Sequence, residues 1–242
     1  MKLLFIRHGD PDYEIDSLTE KGWREAKLLS KRMMKERPDA IYCSPLGRAR
    51  DTASFTLNAL QKPATIYDWL REFDVPVTHP VTGEKRHIAW DLLPQYWCNC
   101  PELYEKDGWR QAELLHGSRV PQEYDRVCTG LDEVLEQHGY HREGNLYLAK
   151  HPNRDTVAVF CHFGVTCVML SHLLGISPFV LWHHFVSAPT SVTVLYTEER
   201  EKGLASFRCQ SFGDISHLYA GDEPPAFAAR FCETYDCAEE RH

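Results

Sequence analysis

Two stretches of this chain share one grammar. Leu3-Leu4-Phe5-Ile6 runs into Arg7-His8-Gly9, and Val157-Ala158-Val159-Phe160-Cys161 runs into His162-Phe163-Gly164. Each is an apolar run of strand length that delivers a histidine at its carboxyl end, with a glycine just beyond. In open α/β sheets, ligands bind in the crevice outside the carboxyl ends of the strands, so two such histidines can face one ligand. A single strand-end histidine is more often a satisfied polar residue; two in matching contexts favour a shared site. A cation completes the pattern. Ser44-Pro45 reads as an N-cap followed by proline at the first helical position. That places Arg48 in the first turn, where the helix dipole disfavours positive charge. An anion at the helix N-terminus resolves the conflict, and phosphate is its usual occupant. Arg7 and Arg48 then supply guanidinium forks to the same phosphoryl oxygens. Arg50 falls roughly 200° further round the helix and reads as a surface residue. The chemistry indicated is that of a phosphate group held between two histidines and two arginines.

The elements that must position these groups can be read from the rest of the chain. Residues 2–6 form a short apolar run, as expected of a central strand buried on both faces. An acidic loop follows with Asp10, Asp12, Glu14 and Asp16. Ser17 or Thr19 caps the next helix, whose apolar face is expected to carry Trp23, Ala26, Leu29 and Met33. A strand over 40–43, a helix over 46–60 and a third strand over 64–67 come next. Residues 74–118 lose all steady period; prolines, glycines and the aromatics Trp90, Tyr96, Trp97, Tyr104 and Trp109 alternate. This segment is expected to be an insertion capping one end of the sheet, its aromatics forming its own small core more readily than a substrate wall. Beyond it come a helix over 121–138 closed by Gly139, strands over 145–150 and 156–161, and a helix over 165–174. Strands over 191–196 and 206–212 and a terminal helix over 227–235 complete the chain. The expected fold is a three-layer α/β/α domain spanning 1–242, with a mostly parallel sheet and the cap over the strands' carboxyl ends.

Composition narrows the function. The 242 residues are 43% hydrophobic and 26% charged, as in an ordinary globular protein. The net charge of −8 argues against nucleic acid as a partner. No run approaches the ~20 apolar residues of a membrane span, and the N-terminus lacks the pattern of a secretory signal. Nine scattered cysteines point to a reducing cytoplasm, with Cys43, Cys161 and Cys167 as free core thiols. Despite 13 histidines, no metal-ligand spacing of the H-E-x-x-H kind occurs, and no metal or other cofactor is expected.

Arg7-His8-Gly9 after an N-terminal strand resembles the signature of the histidine phosphatase superfamily, the phosphoglycerate mutase-like fold, in a phosphatase branch. Ser44-Pro45-Leu46-Gly47-Arg48-Ala49 with Thr52-Ala53 resembles its second motif, and Leu18-Thr19-Glu20-Lys21-Gly22 its usual first-helix start. His162 matches its second histidine. The order and spacing agree across most of residues 1–212. The resemblance implies that His8 attacks phosphorus and becomes a phosphohistidine that water later hydrolyses. Arg7, Arg48 and His162, with the backbone N–H of Phe163, would hold the phosphoryl oxygens. A carboxyl group after the third strand would protonate the leaving oxygen; Glu72 stands there, with Asp74 competing.

The sequence also departs from the pattern. Members often carry an asparagine after the first motif and a His-Gly pair at the second site; here the acidic loop and Phe163 take those places. Four carboxylates near the pocket mouth are expected to disfavour multiply phosphorylated substrates, unless they form only a solvated face. Lys85-Arg86-His87 would return positive charge to the site. His183-His184 reads as packing or surface. The resulting expectation is a phosphomonoesterase for a small metabolite or phosphoprotein. A phosphoglycerate mutase-type transferase and an idle phospho-ligand module are the alternatives.

Overall fold

The computed structural model describes residues 1–78, 85–86, 88–228 and 233–236. Its centre is an eight-stranded sheet. In chain order the strands are β1 (Lys2–Arg7), β2 (Pro11–Asp12), β3 (Ser17–Leu18), β4 (Ala40–Cys43), β5 (Thr65–Ile66), β6 (Val77–Thr78) and β7 (Lys85–Arg86). They continue with β8 (Tyr140–Glu143), β9 (Leu146–Ala149), β10 (Thr156–Cys161), β11 (Val192–Glu201) and β12 (Leu204–Asp214). The sheet order is β5-β4-β10-β1-β11-β12-β9-β8, while β2–β3 and β6–β7 form separate two-stranded pairs.

The expectation of a mostly parallel sheet is corrected: the sheet is mixed. Strands β5, β4, β10 and β1 pair in parallel. From β1 outward through β11, β12, β9 and β8 every pairing is antiparallel. Short connections dictate two of these pairings, β11–β12 and β8–β9. Two residues join β11 to β12, with Gly203 at φ +82°, and Gly144 at φ +59° turns β8 into β9. Such links permit only antiparallel neighbours, since a parallel crossover needs a dozen residues or more.

The helices are α1 (Glu20–Glu36), α2 (Gly47–Leu60), α3 (Pro94–Trp97), α4 (Val120–Gln137), α5 (Phe163–Leu174), α6 (Pro178–His184) and α7 (Ser216–Tyr219). Alternation along β1 splits the core in two. Leu4 and Ile6 join Leu29 and Met33 of α1 and Ala49 and Ala53 of α2. Leu3 and Phe5 join Leu131 and Val134 of α4, Val165 and Val168 of α5 and Leu181 of α6. The sheet is thus the middle of three layers.

Thr19, not Ser17, caps α1, its hydroxyl accepting the Gly22 N–H at 3.1 Å. Trp23 is 37% exposed and meets Phe55 edge-on, so it leaves the core face assigned to it. The inner line passes through Gly22, where an added Cβ would come within 2.3 Å of the Asp10 carbonyl oxygen, and through Glu25. Residues 74–118 hold β6, β7, α3 and three 3-10 turns. Trp109 from this segment is buried against Tyr124 and Phe179, as a core residue. His183 stacks on Trp97 at 4.7 Å, which makes it packing. His87 lies outside the described residues, as does 229–232 of the expected terminal helix; Ala226 and Phe227 are non-helical.

Candidate active site

Strand register assembles the site. In the parallel pair β1–β10, Arg7 lies opposite Cys161, so His8 and His162 leave their strands side by side. Their ring centroids are 5.1 Å apart, and the His8 N–H donates to the Cys161 carbonyl at 3.0 Å. On the other side of β10, Cys43 of β4 lies opposite Phe160, which brings Ser44 out beside His162. Next to β4, the Tyr67 N–H donates to the Cys43 carbonyl after β5, and a 3-10 turn over Asp68–Leu70 leads the chain to Glu72. Four parallel strands thus deliver Arg7 and His8, His162, Ser44, and Glu72 to one end of the sheet, with Arg48 on the helix that follows β4.

A hydrogen bond assigns the His8 tautomer. His8 Nδ1 lies 2.7 Å from the Gly9 carbonyl oxygen, which can only accept, so Nδ1 carries the proton and Nε2 keeps its lone pair. Burial and then the Arg7 charge push the His8 imidazolium well below its ordinary pKa, and Arg48 adds to this. Ser44 Oγ accepts the Leu46 N–H at 3.3 Å and lies 2.8 Å from His162 Nε2. Nε2 of His162 is thus engaged by Ser44, and Nδ1 is the ring nitrogen left open to a ligand. Burial first, then His8, Arg48 and Arg7, keep His162 neutral. His162 Nδ1, Arg7 Nε and Arg48 Nε are all buried without a hydrogen-bond partner among the described residues. Buried polar atoms in that state are rare and call for a ligand.

The entrance to α2 differs from the sequence reading. The helix begins at Gly47, and Leu46 rather than Ser44 stands at the cap, without a side-chain hydrogen bond. The anion at this terminus belongs to the protein. Asp16 Oδ2 accepts the Gly47 N–H at 2.7 Å, and its Oδ1 accepts from Arg48 Nη1 at 2.6 Å. An added Cβ on Gly47 would come within 2.0 Å of the Asp16 carbonyl oxygen, so only glycine permits this approach. Arg48 therefore reaches the site with one nitrogen held and Nε unpaired. Arg7 is held likewise, its Nη1 donating to the carbonyls of Ser187 and Ala228.

Glu72 Oε1 accepts the N–H groups of Phe73 at 2.8 Å and Val165 at 3.2 Å. Burial raises its pKa, and this outweighs the opposing Phe73 N–H and the charges of Arg7 and Arg48. A Cβ on Gly164 would sit 2.7 Å from Glu72 Oε1 and 2.5 Å from Trp90 Nε1, so the second glycine is what lets Glu72 approach α5. Asp74 is exposed, and only its backbone N–H turns back, to the Glu72 carbonyl. A cavity of about 370 Å³ is lined by Arg7, Arg48, Arg71, Glu72, Trp90 and Phe163 among others. His8 and His162 do not line it; they lie buried, 2% and 0% exposed. None of Asp10, Asp12, Glu14 and Asp16 lines it either. Asp10 accepts from the Thr19 hydroxyl, Asp12 from the Glu14 N–H, and Asp16 is occupied as above. Arg50 is exposed. Sequence reasoning missed the tie from Asp16 to Gly47 and Arg48, Arg71 as a lining residue, and the link from Ser44 to His162. Only Ser44 carried a signal, its adjacency to the proline, and that pointed to a cap.

The model of the histidine phosphatase superfamily (branch 1) matches residues 3–210. The chain belongs to this superfamily. Phosphoserine phosphatase 1 of Hydrogenobacter thermophilus is 26% identical over 215 residues, covering 83% of this chain and 88% of that protein. The 2,3-bisphosphoglycerate-dependent phosphoglycerate mutase of Corynebacterium diphtheriae is 26% identical over 218 residues, with 81% and 85% covered. The structure of phosphoserine phosphatase from Entamoeba histolytica with 3-phosphoglyceric acid aligns at a TM-score of 0.59 and 20% identity. It covers 90% of this chain and 98% of that one, a likeness of fold. This histidine phosphatase is a phosphomonoesterase of the histidine-phosphatase mechanism class. No helix among its described residues is long and apolar enough to cross a membrane.

Proposed function

We propose that this histidine phosphatase hydrolyses phosphomonoesters through a phosphohistidine on His8, with Glu72 as the general acid. The observation that carries the reading is the set of three buried, unpartnered nitrogens, Arg7 Nε, Arg48 Nε and His162 Nδ1, around a histidine whose Nε2 is the free base. In the first step Nε2 attacks phosphorus and the bond to the ester oxygen breaks. The leaving oxygen takes the electron pair of that bond and the proton of Glu72. The three nitrogens, with the Phe163 N–H at the start of α5, hold the phosphoryl oxygens as charge shifts across them. In the second step Glu72, now a carboxylate, takes a proton from water as water attacks the phosphohistidine, and His8 is released.

Glu72 is preferred to Asp74 because its carboxyl is half-buried, bonded to α5 and shifted toward the protonated form, whereas Asp74 is exposed. We read 74–118 as the cap of a single catalytic domain, with Trp90 its contribution to the pocket. The substrate is a small phosphorylated metabolite or phosphoprotein, and a reducing cytoplasm suits the seven described cysteines, all of them free. A panel of phosphate esters with the parent and His8→Ala tests the reading. The expected result is turnover by the parent and loss of at least about 10³-fold in the variant. Comparable turnover in His8→Ala would sink it.

A further inference from the structure

A second cavity, of about 510 Å³, adjoins the catalytic pocket, and both are lined by Arg71, Glu72 and Asp74. If Glu72 protonates the leaving oxygen, as proposed above, the alcohol part of the ester must extend beyond Glu72, and this cavity borders the same residue. We propose that it receives the alcohol part of the substrate and selects a flat, uncharged, aromatic one, with Trp69 as the specificity-determining residue.

The walls carry the chemistry. Phe73, Val77 and Val127 are buried and line the cavity together with Trp69. Trp69 is fixed from two sides. Its ring stacks on Tyr67 at 5.9 Å and 25°, and Tyr67 stacks in turn on Tyr42 at 5.6 Å and 25°. Gly130 of α4 lies against the indole so closely that a Cβ there would come within 2.6 Å of three ring atoms. A tryptophan held in this way keeps the part of its indole that borders the cavity in a fixed place, and an aromatic ring packs against that part without ordering a loose side chain. The cations bordering the cavity are already engaged. Arg71 pairs with Asp68, Arg119 with Glu123, and Arg126 with both. A carboxylate or second phosphate on the alcohol part would meet arginines whose charge these carboxylates already balance, with Glu72, Asp74 and Glu123 also lining the cavity; an aromatic face needs no charged partner. The volume falls in the range of sites for drug-sized ligands, about 300–1,000 Å³. A three-carbon hydroxy acid would leave most of it unused.

The test compares naphthylmethyl phosphate with ethyl phosphate, whose alkoxides are similarly basic, so that the chemical step is matched. Phosphoserine serves as a charged comparison. The parent is expected to favour naphthylmethyl phosphate over both by about tenfold or more in kcat/KM. Trp69→Ala should remove most of that preference, by about fivefold to tenfold, with ethyl phosphate changed less than about twofold, and Trp69→Phe should retain it. Equal kcat/KM for the three esters in the parent would overturn the proposal. So would a Trp69→Ala variant that loses the same factor on all of them, since that is a structural effect. Hydrolysis that requires His8 but shows no aromatic preference removes this proposal alone. No hydrolysis of any ester, or hydrolysis that survives His8→Ala, removes the phosphohistidine mechanism and this proposal with it.

Discussion

A histidine attacks phosphorus only while one ring nitrogen keeps its lone pair and the ring stays neutral. His8 meets both conditions through its neighbours: the Gly9 carbonyl holds the Nδ1 proton, and burial with Arg7 resists a second one. Glu72 has the opposite need. It must start protonated, and burial pushes it that way against the pull of the Phe73 N–H and of Arg7. These directions fix the sign of the pH dependence. Because the His8 shift is downward, no loss of activity is expected as pH falls through 6.5, the ordinary histidine value. As pH rises through the raised value of Glu72, the acid is lost and kcat/KM for alkyl phosphates should fall. Glu72→Gln should lower the rate by about 10²–10⁴-fold and abolish that alkaline fall. The pH–rate profiles of parent and variant decide it; an unchanged alkaline fall in the variant would reassign the acid.

At the scale of elements, the loop after β1 and the first turn of α2 work as one unit. Asp16, at φ +49°, ties the Gly47 N–H and Arg48 together, so the arginine enters the site already aimed. Asp16→Asn keeps an acceptor for Gly47 but removes the charge facing Arg48. Because the Asp16 side chain is 44% exposed, the expected loss is modest, about fivefold to tenfold in kcat/KM, with the fold intact by circular dichroism. No change in kcat/KM would mean that Arg48 needs no anchor. This pairing was illegible in the sequence because it joins residues 31 and 32 apart through a left-handed aspartate and a backbone approach. The histidines were legible because each ends a fully buried strand, and a buried parallel strand reads as an unbroken apolar run. The antiparallel half of the sheet gave a weaker signal. β8 reads Tyr-His-Arg-Glu, an edge strand with little to bury, and follows Gly139 directly, so it left no apolar pattern. Trp23 misled for the converse reason: a large apolar side chain suggests a core position even where the inner line has room only for glycine.

Across the whole molecule, a buried carboxylate joins the two chain ends at the site. Glu25 is fully buried, and its two oxygens accept the N–H groups of Asp10 and Ala226. Two residues past Ala226, the Ala228 carbonyl meets Arg7, while Glu223 pairs with Lys21 and Arg24. Burial lifts the Glu25 carboxyl from 4.5 to about 7, against those two N–H groups. A group raised in the folded state stabilises the fold fully below its unfolded value. That contribution is lost as pH climbs through the folded one. Thermal denaturation should therefore show the parent losing stability relative to Glu25→Gln between about pH 4.5 and 7, by an amount on the order of 3 kcal/mol. Parallel curves for the two proteins across that window would contradict it.

The central claim is a covalent bond between phosphorus and His8, and trapping that bond tests it most directly. The enzyme is mixed with a phosphomonoester, quenched in alkali within a turnover, digested and sequenced by mass spectrometry. An acid-labile, alkali-stable phosphoryl group is expected on the peptide that carries Arg7-His8-Gly9 and absent from His8→Ala. Turnover by the parent with no phosphoryl group on His8, or with one on another residue, would contradict it.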